Sequence, residues 1–385
     1  MINKADLAQL VTLRHSLHQN AELSNNEFVT AQIIKAYIHQ FNPDKVYEEV
    51  GGHGLIFRFK GTASKPLKIG FRADMDALPI DETVSLKYGS INAGIAHKCG
   101  HDGHSVMVAG IAQLLRTGKQ VEHDVYLIFQ PAEETGHGAE AVTKFLEKRK
   151  IKLDYLFGLH NLPGFKKGQI ACRKGSFAAA STGMLIELKG HTSHAAEPEK
   201  GNSPALAFAS IIKGLSALTT QEKFEKLVLT TVVQANLGEI AFGTTPAHAE
   251  IRVTLRAIKD ADLLRLKELA EALVLKEAAV HKLDYELSYT ESFPSTENTQ
   301  EMFDLLKDIA GEMNFNFQKI DKPFKWSEDF GHFKNVTQSG FFGLGAGKSC
   351  AVLHHETYDF PDNIIEDGLK MYMGILAYFE NNDGK

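Results

Sequence analysis

Apolar runs of strand length alternate with helical patterns toward both ends of this chain, and the alternation breaks in the middle. Leu67 to Phe71 (LKIGF), Val125 to Phe129 (VYLIF) and Leu156 to Leu159 (LFGL) read as buried strands. Leu7 to His18, Glu27 to Phe41, His104 to Leu115 and a stretch after Gly138 carry apolar residues at helical spacing. Buried strands separated by helices predict a layered α/β domain with a mixed, largely parallel sheet.

From Met184 the rhythm changes. Met184 to Lys189 (MLIELK) alternates as a strand, and Ser203 to Leu218 reads as a helix. Strands at Leu227 to Val233 and Ala249 to Ala257 follow, then a helix capped by Asp260 and reaching Val280, then a strand at Leu283 to Tyr289. This β-α-β-β-α-β order is the ferredoxin-like split arrangement. The α/β rhythm then returns, with a helix from Gln300 to Met313, a strand at Phe341 to Leu344 and a terminal helix from Ile364 to Glu380. A chain of 385 residues is long for one core. The reading is one α/β domain (1–180 and 291–385) interrupted by a smaller α+β domain (181–290).

Composition narrows the function. A hydrophobic fraction of 43% and a charged fraction of 23% are those of a soluble globular protein. The net charge of −6 argues against nucleic acid as a partner. No apolar run approaches membrane-spanning length, and the first residues lack the pattern of a cleaved signal. Cys99, Cys172 and Cys350 cannot all pair, which points to a reducing cytoplasm.

The residues suited to chemistry sit where strands end or in the turns that follow. In HKCGHDGH (His97 to His104), Cys99 and His101 can face one metal ion if Gly100 and Gly103 permit a tight turn. A polar loop around a buried thiol is the plainer reading for either residue alone. QPAEETGHG (Gln130 to Gly138) places Glu133 and Glu134 directly after VYLIF. Two buried carboxylates repel each other unless a cation lies between them. One can bind metal while the other stays free to carry a proton. His160 follows LFGL, and Asp74 and Asp76 follow LKIGF, where they can orient imidazoles. His354 and His355 come after the glycine-rich GLGAG loop. Nitrogen, oxygen and sulfur donors together suit Zn²⁺, Mn²⁺, Co²⁺ or Ni²⁺ better than Mg²⁺ or Ca²⁺.

RADMDALP, HKCGHDGH, QPAEETGHG, GLHN, HTSHAAEPE (His191 to Glu199), SEDF (Ser327 to Phe330) and LHHETYDF occur in this order. Together they resemble the amidohydrolase branch of the aminoacylase and carboxypeptidase superfamily. That branch includes hippurate hydrolases, indole-acetyl-amino-acid hydrolases and N-acetyl-diaminopimelate deacetylases. The resemblance implies a catalytic domain holding two divalent metal ions and an inserted lid through which two copies pair as a homodimer. It matches Cys99 to the bridging ligand, His101, Glu134, His160 and His354 to the other ligands, and Glu133 to the general base. His194 matches a histidine that stabilises an oxyanion, and Asp76 is placed with the catalytic residues. His354 is preferred over His355 by register with Tyr358-Asp359-Phe360. Arg256, on a lid strand, is a candidate for a substrate carboxylate, with a solvated arginine the competing reading. The expected reaction is hydrolysis of an N-acyl amino acid, with a dipeptidase or diaminopimelate deacetylase as the alternative. The segment AFGTTPAHAEI (Ala241 to Ile251) lacks the Asn-Val-Ile-Pro-Asp run of many relatives, so no substrate contact is carried over from it.

Overall fold

A computed structural model describes residues 2–117 and 121–382. The chain divides into two compact units, Met1–Phe177 with Thr296–Pro323 and Asp329–Lys385, and Ala178–Ser295 with Phe324–Glu328. The short segment Phe324–Glu328 groups with the second unit, where Ala179 N–H donates to Trp326 O (3.0 Å). The sequence reading placed it with the first domain, since pairing between distant segments leaves no local pattern.

In the first unit an eight-stranded sheet runs in the order Lys45–Val50, Gly54–Phe59, Asp124–Gln130, Lys68–Asp74, Tyr155–Pro163, Gln338–Gly347, Ile170–Cys172, Phe317–Lys319. Its central four strands are mutually parallel; the first two strands pair antiparallel, and Ile170–Cys172 runs antiparallel to Gln338–Gly347 but parallel to Phe317–Lys319. The expected mixed, largely parallel sheet is therefore present. The hairpin of Lys45–Val50 and Gly54–Phe59 was not anticipated, although Gly51 and Gly52 (φ 68° and 114°) supply its turn.

GLGAG is not a loop. It is the second half of the strand Gln338–Gly347, in register with the neighbouring strand so that Gly343 lies beside His160. Glycine is required there by packing: a Cβ on Gly343 would stand 2.1 Å from Leu162 Cδ1, and one on Gly345 1.9 Å from Lys166 O. The helix His101–Thr117 buries Val106, Met107, Val108, Ala109 and Ile111 completely. It packs against the helices Lys4–Gln19 and Ile365–Asn382.

The second unit carries an antiparallel sheet ordered Asp284–Phe293, Ala180–Lys189, His248–Ala257, Val228–Leu237. The helices Ala205–Gln221 and Asp260–Val280 supply Ile211, Leu215, Leu266 and Val274 to a core shared with Ile186 and Ile251. This is the ferredoxin-like arrangement expected from the sequence. Asp260 is the first helical residue rather than the cap, which is Lys259. The Asp260 carboxylate accepts instead from Ser295 N–H (2.7 Å), across the chain.

Candidate metal centre

The parallel strands end along one edge of the first sheet, the position at which open α/β sheets collect functional groups. Lys68–Asp74 delivers Asp74 and then Asp76, and Asp124–Gln130 leads into the turn bearing Glu133 and Glu134. His160 was expected at a strand end. It lies inside Tyr155–Pro163, a strand longer than its apolar run because Asn161 and Leu162 continue the pairing. Gly100, at φ +96°, makes the bend between Cys99 and His101, and His101 opens the long helix.

Two imidazoles are oriented by backbone carbonyls. Each donates from Nδ1, His101 to Asp76 O and His160 to Asn161 O, both at 2.9 Å. A carbonyl can only accept, so Nδ1 carries the proton and Nε2 is left facing the cluster. Asp76 Oδ1 adds a contact to His101 Nδ1 at 3.2 Å. The other Asp76 oxygen accepts from Ser24 Oγ (2.7 Å) and from Glu134 N–H (3.0 Å). Asp76 thereby fixes one candidate ligand by its ring and another by its backbone.

The predicted donors converge. Cys99 Sγ lies 3.4 Å from His160 Nε2, and Glu134 Oε1 lies 3.8 Å from His101 Nε2 and 3.5 Å from His354 Nε2. Cys99, His101 and His160 form one trio with ligand atoms within 4.8 Å of one another, and Cys99, Glu134 and His354 form a second. The two trios meet at Cys99. His354 occupies a left-handed backbone position (φ 63°), whereas the His355 ring is engaged by Thr357 Oγ1 at 2.8 Å. Glu133 stays beside the cluster, its Oε2 3.9 Å from His101 Nε2 and its Oε1 accepting from Asp329 N–H (3.2 Å).

The electrostatics suit a cation. Burial alone would depress the His101 pKa, but Asp74, Asp76 and Glu134 outweigh it and hold it at about 10. Burial drives Glu134 up to about 7, with Asp76 adding to the rise. The Cys99 thiol is pushed well above its usual range by burial and by Glu134 and Glu133. His101 Nε2 and Glu134 Oε1 are buried with no hydrogen-bond partner. Unpartnered buried donor atoms of this kind fit a metal ion better than an internal hydrogen-bond network.

Asp74 does meet an imidazole, as the sequence suggests, but the role of Arg72 and Gln130 around it is visible only in the fold. Arg72 donates to Asp74 (2.7 Å), Gln130 (2.8 Å) and Asp329 (2.6 Å). Asp329 also accepts from Gln130 Nε2 and from Ala139 N–H, at the start of the helix Gly138–Lys148. His104 Nδ1 meets Asp74 at 2.6 Å, while its Nε2 accepts from Asn161 N–H (3.1 Å). An arginine within an otherwise buried strand, FRAD, was the available signal, because a buried guanidinium requires carboxylates around it.

The two remaining candidates lie in the second unit. His194 Nδ1 accepts from Ala196 N–H (3.0 Å), and its strand-like bridge to Thr244 anchors the segment. The Arg256 guanidinium donates to Lys325 O (2.6 Å) and Ser327 Oγ (2.7 Å), so two of its contacts are internal.

Comparison with known proteins supplies the context for this centre. The description "Peptidase family M20/M25/M40" matches residues 70–378. This chain belongs to that family. Among relatives, it is 30% identical to a hippurate hydrolase of Campylobacter jejuni, over 94% of each chain. It is 28% identical to an N-acetyldiaminopimelate deacetylase of Geobacillus, over 98% of this chain and all of the other. A dinuclear metal binding M20 peptidase from Bacillus subtilis shares its fold, with a TM-score of 0.82, 24% identity and coverage of 98% and 99%. As an M20 protein of the amidohydrolase branch, the chain is a metal-dependent amidohydrolase. Among the described residues, no helix is long and apolar enough to cross a membrane.

Proposed function

We propose that the protein hydrolyses N-acyl amino acids or similar small amide conjugates to a carboxylate and a free amine. In this reading Cys99, His101, Glu134, His160 and His354 would hold two divalent ions, His101 and His160 on one side and Glu134 and His354 on the other, with Cys99 common to both sets. The observation that carries it is the meeting of two donor trios at Cys99, with Glu133 close enough to group with His101 and Glu134 and held there by the Asp329 N–H. Ions such as Zn²⁺, Mn²⁺, Co²⁺ or Ni²⁺ would acidify a water molecule and polarise the amide carbonyl there.

Glu133 accepts the water proton and returns it to the leaving nitrogen, so the same carboxylate acts as base and then as acid. Its position is fixed through Asp329 N–H, and Asp329 in turn is gripped by Arg72 and Gln130. Asp76 keeps the His101 ring in the orientation that presents Nε2. His194 is assigned to the developing oxyanion from the family resemblance, and Arg256 to a substrate carboxylate from its place at the end of the strand His248–Ala257. Pairing of two copies through the second unit is supported by the exposure there of Val233, Ile240 and Phe242. Three unpaired cysteines support a reducing compartment such as the cytoplasm.

Glu133→Gln tests the mechanism. Metal content by elemental analysis should stay near that of the unaltered protein, while kcat falls about 10²–10⁴-fold, the usual contribution of a positioned acid–base group. Unchanged turnover would sink the assignment. A panel of N-acetyl and N-benzoyl amino acids, N-acetyl-diaminopimelate and dipeptides then separates the principal reading from the deacetylase and dipeptidase alternatives.

A further inference from the structure

One fully buried cation takes no part in the chemistry above. The Lys98 side chain has no exposed surface, and an ammonium in such a place loses its hydration. Its Nζ donates to Glu82 Oε1 (2.5 Å) and to the backbone carbonyl of Tyr358 (2.8 Å). Glu82 is itself tied down, accepting from His18 Nε2 (2.9 Å) and Ser90 N–H (3.0 Å). The backbone carbonyl of Lys98 accepts from His354 N–H at 2.8 Å. One residue thus grips the turn that carries His354 at two points, while its chain neighbour is Cys99.

That turn carries the most exposed of the candidate donors. The His354 side chain is half exposed, its backbone sits in the left-handed region, and its imidazole has Glu134 3.5 Å away. His101 and His160, by contrast, are buried in a helix and a strand, with rings fixed by carbonyls. An apolar side chain would fill the Lys98 site without the desolvation cost, but it could not hold the Tyr358 carbonyl. We propose that Lys98 is a positioning residue for metal binding: its buried ammonium ties the Cys99 loop to the His354 turn and sets the affinity of the half-site that His354 completes. The inference rests on the ligand assignment made under Proposed function.

The two half-sites give the test. Chelator-stripped protein is titrated with Co²⁺, followed by calorimetry and by the visible and near-ultraviolet spectrum. The unaltered chain should bind two equivalents in separable steps, and His354→Ala should abolish the weaker one. Lys98→Met should leave the first step within twofold and weaken the second at least tenfold. Equal weakening of both steps, or no change in either, overturns the role of Lys98. Should Lys98→Met fail to fold, Glu82→Gln replaces it, because it removes the charge partner but keeps an acceptor for Lys98. Selective weakening of the second step, by about threefold or more, supports the proposal; uniform loss or no change overturns it. A wild-type stoichiometry of one, or a second step that survives His354→Ala, instead shows that the ligand assignment itself is wrong.

Discussion

Cys99 illustrates how little a single residue type reveals. A buried thiol is ordinarily inert filler, and here burial and two glutamates hold it protonated well past its normal range. Only a cation at the same point makes the thiolate stable. Cys99→Ala should therefore lose metal and activity together, and full metal content by elemental analysis would count against it as a ligand. Asp329 makes a different prediction. Its carboxylate is completely buried between Arg72, Gln130 and the Ala139 N–H, and its own N–H positions Glu133. Removing one member of a buried ion pair costs about 3–5 kcal/mol. Asp329→Ala should lower unfolding stability by roughly that amount in a urea titration, and lower kcat while metal content is retained. A kcat equal to that of the unaltered protein would show that Glu133 needs no such support.

At the scale of elements, the helix Lys4–Gln19 reaches the centre through charge. His18 and Arg14, both buried, meet Asp102, the residue after His101. Burial would lower the His18 pKa, but Asp102 and Glu82 outweigh it and raise it to about 9. A pKa raised on folding stabilises fully below the unfolded value of about 6.5 and is lost as pH rises through the folded value. Metal-free protein should lose stability between about pH 6.5 and 9, and His18→Gln should flatten that part of the curve in thermal melts. An unchanged slope in the variant would remove His18 from the account. The strand Gln338–Gly347 shows why some elements were hidden. Its glycines look like a loop when read along the chain, yet they are demanded by the Leu162 side chain and by the Lys166 backbone carbonyl.

For the whole molecule, the surface of the second unit bears on the pairing of copies proposed above. The second unit exposes Ile240 and Phe242 completely, together with Val233 and Leu237 on its edge strand. Fully exposed apolar side chains such as these are what a contact between two copies would cover. Sedimentation at several concentrations should give twice the chain mass, with dissociation only on dilution. A single-chain mass at every concentration would leave the exposed residues to another partner and remove the dimer proposal.

The sequence by itself determined the two rhythms, and with them a mixed α/β sheet and a ferredoxin-like second unit, because apolar periodicity follows from which face of an element is buried. It also put forward candidate donors, through seven ordered motifs that resemble those of a known family. Tertiary structure alone decided what surrounds them. That the Asp329 N–H holds Glu133, that Arg72 and Gln130 hold Asp329 and that Lys98 reaches the His354 turn all depend on residues far apart in the chain meeting in the fold. Such meetings leave no periodic trace. Each is a hydrogen bond or an ion pair whose partner is chosen by the fold rather than by its neighbours in sequence.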